Sequence, residues 1–261
     1  MLAALLMLCA CELRRDDGTI SEPVASPCQP VVFEQARMTL CTARPGEHRI
    51  RTALGSAPGD TPYRSLVALR DALTAAQRGR IAMAMNGGMF EDGGQPIGYY
   101  VEEGRRLQMI NRREEPSEKP GDFDLLPNGI FFGQADGNWQ VLSTDAFAAA
   151  ATKRPFFATR SGPMLVIDGR LHPKITSDGQ SRLIRNAVGV DAHGRAQFVI
   201  SQDPVSFGKL ARFYRDVLGV RNALFLDGSV SQLWDPGTGR MDSGAALGPL
   251  IVVEIQAEAA S

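Results

Sequence analysis

Two short stretches carry side chains whose type and spacing suit chemistry. The first is N-A-L-F-L-D-G-S-V-S-Q, Asn222 to Gln232, in which Ala223 to Leu226 read as a buried strand delivering Asp227 at its tip. A carboxylate there is costly to bury unless it is paired, hydrogen-bonded or open to a cleft. Gly228 lets a ligand or another backbone approach closely, and Ser229 follows it. Asp227 is therefore the first candidate for a base or nucleophile, with a plain Asp-Gly turn as the alternative. The second stretch is M-N-G-G-M-F, where the apolar run Ile81 to Met85 ends in Asn86. Gly87 and Gly88 after it either form a tight turn or present backbone N–H groups to an anion such as phosphate.

Arg185 stands immediately before the apolar run Ala187 to Val190. Its planar guanidinium fits phosphate or carboxylate oxygens in bidentate fashion, and pairing with a structural carboxylate is the competing use. Arg160, Ser161 and Gly162 lead through Pro163 into the strand Met164 to Ile167, and Asn128 lies in the turn L-L-P-N-G. Breaking a bond to an anionic leaving group such as phosphate builds positive character on one fragment and negative charge on the other. Asp227 suits the first task, directly or through a water, and Arg185 with backbone N–H groups suits the second. Asn86 with Gly87 and Gly88 would orient the substrate or its phosphate. Glu91, Asp92 and Asp203 are alternative carboxylates, and with Asp227 an alternative Ca²⁺ or Mg²⁺ set. No cofactor is firmly implied.

Two similar helix-strand units must position these groups. Leu66, Leu69, Leu73 and Ala76 recur at helical spacing, which predicts a helix over 63–77 stopped by Gly79 before the first strand. Ser206 as cap, Phe207, Leu210, Phe213, Tyr214, Val217 and Leu218 as apolar face, and Gly219 as stop predict the second. Both units end in a polar residue and a small-residue turn, which would place Asn86 and Asp227 at one edge of a sheet, with two independent helix-strand units as the alternative. Turns at Asp168-Gly169 and 191–194 predict antiparallel hairpins. The expected class is α+β, a mixed twisted sheet with antiparallel hairpins and helices packed against it, the second unit being a candidate parallel crossover.

The 261 residues, 44% of them hydrophobic, suit one large domain, and a net charge of −1 offers no basic surface for nucleic acid. Three widely spaced histidines without Cys/His ligand spacing argue against zinc. Residues 1–11 form an apolar stretch ending in L-x-A-C, too short to span a bilayer and without a preceding basic residue. The ending resembles the lipobox of bacterial lipoproteins, with Cys11 as the lipidated residue, and a cleaved signal without lipid is the alternative. The chain is thus expected to be exported to the bacterial cell envelope, touching membrane only through a lipid anchor. Residues 12–30 read as a tether and 31–261 as the folded domain. Export favours a bridge between Cys28 and Cys41 over two separate thiols. The charged segment 111–121 reads as a solvated loop or a flap.

Five motifs, M-N-G-G-M-F at Met85, P-N-G-I-F-F at Pro127, R-S-G-P-M-L-V at Arg160, R-N-A-V-G-V at Arg185 and N-A-L-F-L-D-G-S at Asn222, occur in the order found in the phosphodiester glycosidase family. The chain resembles that family, and a bacterial branch of it in particular, over roughly residues 31–255. The resemblance implies a hydrolase acting on a sugar phosphodiester. It places Asn86, Gly87, Arg185, Asp227 and Gly228 in the pocket, with Asn128, Gly162 and Ser229 from shorter motifs. Gly228-Ser229 replaces a longer glycine run found in many relatives, which leaves the sugar open. The competing class is a non-catalytic, lipid-anchored module that binds envelope glycans or phosphorylated polymers.

Overall fold

A computed structural model describes residues 25–55, 57, 60–110, 125–150 and 154–256. Cys11, the rest of the signal-like stretch, most of the tether and segment 111–121 lie outside the described residues. Short runs of β-branched and aromatic residues, broken by turns, build three sheets in which the recorded strand pairings are antiparallel. The first orders Cys28–Phe33, Ala36–Ala43, Ala196–Ser201, Asn186–Val190, Ala223–Phe225, Met164–Ile167 and Arg170–Leu171. The second orders Arg240–Met241, Leu233–Asp235, Ile81–Asn86, Leu250–Ile255 and His48–Ala53. The third orders Arg105–Gln108, Tyr100–Glu102, Phe157–Ser161, Gly129–Gln134 and Gly137–Ser143.

The sheets share one core. Met85 and Ile251 of the second sheet, Phe131 and Phe157 of the third, and Phe198 and Leu224 of the first belong to a single apolar cluster. The outer face of the first sheet is covered by the helix Phe207–Arg212 and its wider continuation Phe213–Val217. Ser206 caps that helix through a hydrogen bond from Lys209 N–H (3.2 Å), and the buried Tyr214 hydroxyl donates to the Ala187 carbonyl (2.6 Å). Leu66 and Leu69 dock a second helix, Leu66–Ala72, against Ala84 and Val252 of the second sheet. Each such buried leucine contributes about 1.5–3 kcal/mol.

The class is α+β, and three expectations are refined. The helix predicted over 63–77 starts at a Ser65 cap and breaks at Leu73, whose backbone is extended. Thr74 there opens a separate turn, Ala75–Arg78, through a reciprocal capping box with Gln77. The second helix does join two strands of the same direction, Ala196–Ser201 and Ala223–Phe225, but Asn186–Val190 lies between them and pairs antiparallel with both. The sheet begins at Cys28, inside the expected tether, because Cys28 pairs with Cys41 in the first hairpin and the two are joined by a disulfide.

Candidate active site

Asn86 and Asp227 do not share a sheet edge. Asn86 ends Ile81–Asn86 in the second sheet, whereas Asp227 lies two residues beyond Ala223–Phe225 in the first. They meet across the seam between the sheets through Asn186, the first residue of Asn186–Val190. Asn186 Nδ2 donates to Asn86 Oδ1 (2.9 Å) and to the Asn86 carbonyl (3.2 Å). Asn186 Oδ1 accepts from Asp227 N–H (3.1 Å), and Asn86 Nδ2 donates to the Asp227 carbonyl (3.2 Å). Gln232 N–H donates to Asn86 Oδ1 (3.0 Å), and Ser231 Oγ donates to the Asp227 carbonyl (2.8 Å). Asn86 and Asn186 are buried, so each amide has exchanged water for these partners. The network clamps the backbone on both sides of Asp227.

Asp227 as a residue is 8% exposed. Its Oδ1 accepts from Ser229 N–H (3.0 Å) and Ser229 Oγ (2.8 Å), a short turn that fixes the side chain while Ser229 stays exposed. Arg185 packs behind this turn, where a Cβ on Gly228 would stand 3.3 Å from Arg185 Cγ. Its guanidinium is fully buried over the rings of Phe207 (3.7 Å) and Phe225 (5.3 Å). Nε donates to the Val205 carbonyl (3.1 Å) and an Nη to Ser181 Oγ (3.0 Å).

The third sheet closes the seam. Ser161 Oγ donates to the Leu226 carbonyl, and Thr159 Oγ1 donates to the Gly87 carbonyl (3.1 Å). Gly88 must be glycine for this approach, because a Cβ would lie 2.6 Å from Thr159 Oγ1 and 2.9 Å from the Arg160 carbonyl. Arg160, between Thr159 and Ser161, points to the opposite face, where Nε donates to Thr144 Oγ1 (3.3 Å) and the stem packs on Gly98. Asn128 lies against Gly162, next to the Gly129–Ser161 register pair. It is 1% exposed, and neither atom of its amide has a hydrogen-bond partner among the described residues. That leaves one donor group and one acceptor available beside the seam.

Asp203 is removed from the candidate carboxylates. It pairs with Arg37 at the surface (2.6 Å), and that guanidinium holds its pKa at about 2. Glu91 and Asp92 occupy an exposed turn closed by Gly94 N–H to the Glu91 carbonyl (2.6 Å). Among the described residues, no three His, Cys, Asp or Glu side chains are grouped to hold a metal ion.

Sequence reasoning passed over Asn186 and His172. Asn186 sits inside a quoted motif, and a carboxamide opening an otherwise apolar strand was the available signal. His172 is buried; its Nδ1 accepts from Lys174 N–H (3.1 Å), so Nε2 carries the proton and donates to the Leu126 carbonyl (2.8 Å). Burial lowers its pKa and keeps it neutral beneath the turn that carries Asn128.

The sequence profile of the phosphodiester glycosidase family matches residues 79–243. The uncharacterized protein YigE of Escherichia coli (strain K12) is 30% identical over 234 residues, covering 90% of this chain and 84% of its own. The fold is similar to the catalytic domain of zebrafish N-acetylglucosamine-1-phosphodiester alpha-N-acetylglucosaminidase, auto-inhibited by its pro-peptide. There the TM-score is 0.56 and the identity 15%, over 89% of this chain and 87% of that one. A hypothetical protein from Synechocystis gives a TM-score of 0.53 at 18% identity, over 88% of this chain and 61% of that one.

Proposed function

The chain belongs to the phosphodiester glycosidase family, and from that premise we propose that it is an exported hydrolase cleaving the C1–O bond of a sugar 1-phosphodiester. The observation that carries this reading is the buried Asn86–Asn186 amide pair, which holds the Asp227 backbone at the seam. In one version Asp227 takes a proton from a water as that water attacks C1. In the other it attacks C1 itself, and water then hydrolyses the glycosyl ester. In both, the electron pair of the C1–O bond departs on the phosphate oxygen, giving free sugar and a phosphomonoester. Phosphate leaves with little help from a general acid, so a second carboxylate is not required.

Arg185 has no exposed surface, so its assigned contribution is positive charge behind the Asp227 turn rather than a direct clamp in this conformation. In a low-dielectric interior such a charge acts over several ångströms. Asn128, Gly87, Gly88 and Gly162 are assigned to the sugar or phosphate pocket, with the Asn128 amide as a donor and an acceptor. Export is supported by the apolar stretch ending at Cys11 and by the Cys28–Cys41 disulfide, which suits an oxidising compartment.

The test is hydrolysis of an α-N-acetylglucosamine 1-phosphodiester in ¹⁸O-labelled water by the wild type and by Asp227→Asn. Label in the sugar, with turnover at least ~100-fold slower in the variant at unchanged stability, is the expected result. Label in the phosphate would mean attack at phosphorus and would sink the reading. Binding without turnover would favour a glycan-binding module.

A further inference from the structure

A concave site lies at the far end of the second sheet, away from the seam. Its cavity, about 370 Å³, is within the range of small-molecule pockets. Arg80 on its wall directly precedes the strand Ile81–Asn86 that ends at the seam, which separates the two sites by roughly 20 Å at the usual strand rise.

The charged side chains on the wall are Arg49, Arg51, Arg80, Glu102, Glu103 and Glu254. The wall is mixed in sign, so a charged ligand of either kind meets a like charge, and Arg51 with Glu254 already form an ion pair (2.8 Å). Glu102 is the unusual member. It is 3% exposed; Oε1 accepts from Leu54 N–H (3.1 Å), while the buried Oε2 has no hydrogen-bond partner among the described residues. Burial raises its pKa to about 7, so near neutrality this oxygen can either donate or accept. A hydroxyl serves both states, because it too donates and accepts. Tyr63, also on the wall, adds an aromatic side chain to it.

We propose that this cavity is a second, non-catalytic binding site for a neutral saccharide, with Glu102, Arg51 and Glu254 meeting its hydroxyls and Tyr63 its ring face.

The test is titration of the intact protein with maltose and cellobiose as neutral probes, and with glucosamine and glucose 1-phosphate as charged ones, followed by saturation-transfer NMR and calorimetry. At least one neutral disaccharide should bind with Kd of about millimolar, and both charged sugars should bind more weakly. Arg80→Trp, which adds bulk at the cavity from an exposed position, should weaken binding at least ~10-fold, about 1.4 kcal/mol. Glu102→Leu should do the same where its unfolding curve shows it folded, and Asp227→Asn should leave binding unchanged. Absence of neutral-sugar binding would overturn the proposal. So would binding indifferent to Arg80→Trp, or binding abolished by Asp227→Asn, which would place the sugar at the seam.

Discussion

Replacing Asn186 by leucine, similar in size but without polar atoms, would break the link on which the seam depends. Asn186 is fully buried and supplies two donor contacts to Asn86 and an acceptor for Asp227 N–H. Each lost hydrogen bond costs ~0.5–1.5 kcal/mol, and a buried N–H left without a partner costs about 1–3 kcal/mol more. The expected loss is therefore on the order of 3–5 kcal/mol, a large share of the 5–15 kcal/mol typical of a folded domain. It corresponds to a fall in Tm of about 10 °C for a chain of this size. Asn186→Asp should be similarly damaging: it keeps an acceptor for Asp227 N–H but turns an oxygen toward two Asn86 oxygens. Urea unfolding followed by circular dichroism measures the loss, with an unchanged slope showing that the transition is the same. If Asn186→Leu stayed within ~1 kcal/mol of the wild type and kept full turnover, the amide pair would be neither the link between the sheets nor the support of Asp227.

Two further perturbations follow from the same physical reasoning. Glu102 has a folded pKa of about 7 against 4.5 for the ordinary side chain, so the folded state holds its proton more tightly. Its contribution is complete below pH 4.5 and lost as pH rises through 7, amounting to on the order of 3 kcal/mol. Glu102→Gln should therefore flatten the decline in urea stability between pH 5 and pH 8, and an identical decline in both proteins would refute the assignment. Gly162→Ala would drive a methyl into Asn128 Oδ1. A cost of about 1–3 kcal/mol and at least a ~10-fold loss of turnover are expected, and wild-type turnover would exclude the Asn128 amide from the pocket.

Much of the local structure was readable from the chain. Ser206 caps its helix, Asp168-Gly169 turns its hairpin, and the apolar runs into Asn86 and toward Asp227 are buried strands, because each depends on neighbours a few residues away. The break at Leu73 was missed because the apolar spacing runs through it, while the Thr74–Gln77 capping box competes locally with a continuous helix. Arg185 was legible as a cation of interest, but its enclosure by Phe207 and Phe225 was not, since those rings arrive from a helix and from another strand.

The sequence by itself determined the class of the fold and the candidacy of Asp227 and Asn86, which rest on residue type and periodicity, and, through the resemblance to the family, the order of its motifs and the candidacy of Asn128. Tertiary structure alone decided that Asn86 and Asp227 belong to different sheets, and that Asn186 joins them. It also turned Asp203 away to Arg37, and left Glu102 Oε2 without a hydrogen-bond partner among the described residues. Those outcomes depend on which strands become neighbours and which buried polar groups then find partners. Both are set by packing between distant segments, such as Asn86 and Gln232, 146 residues apart, and local pattern carries no record of such distances.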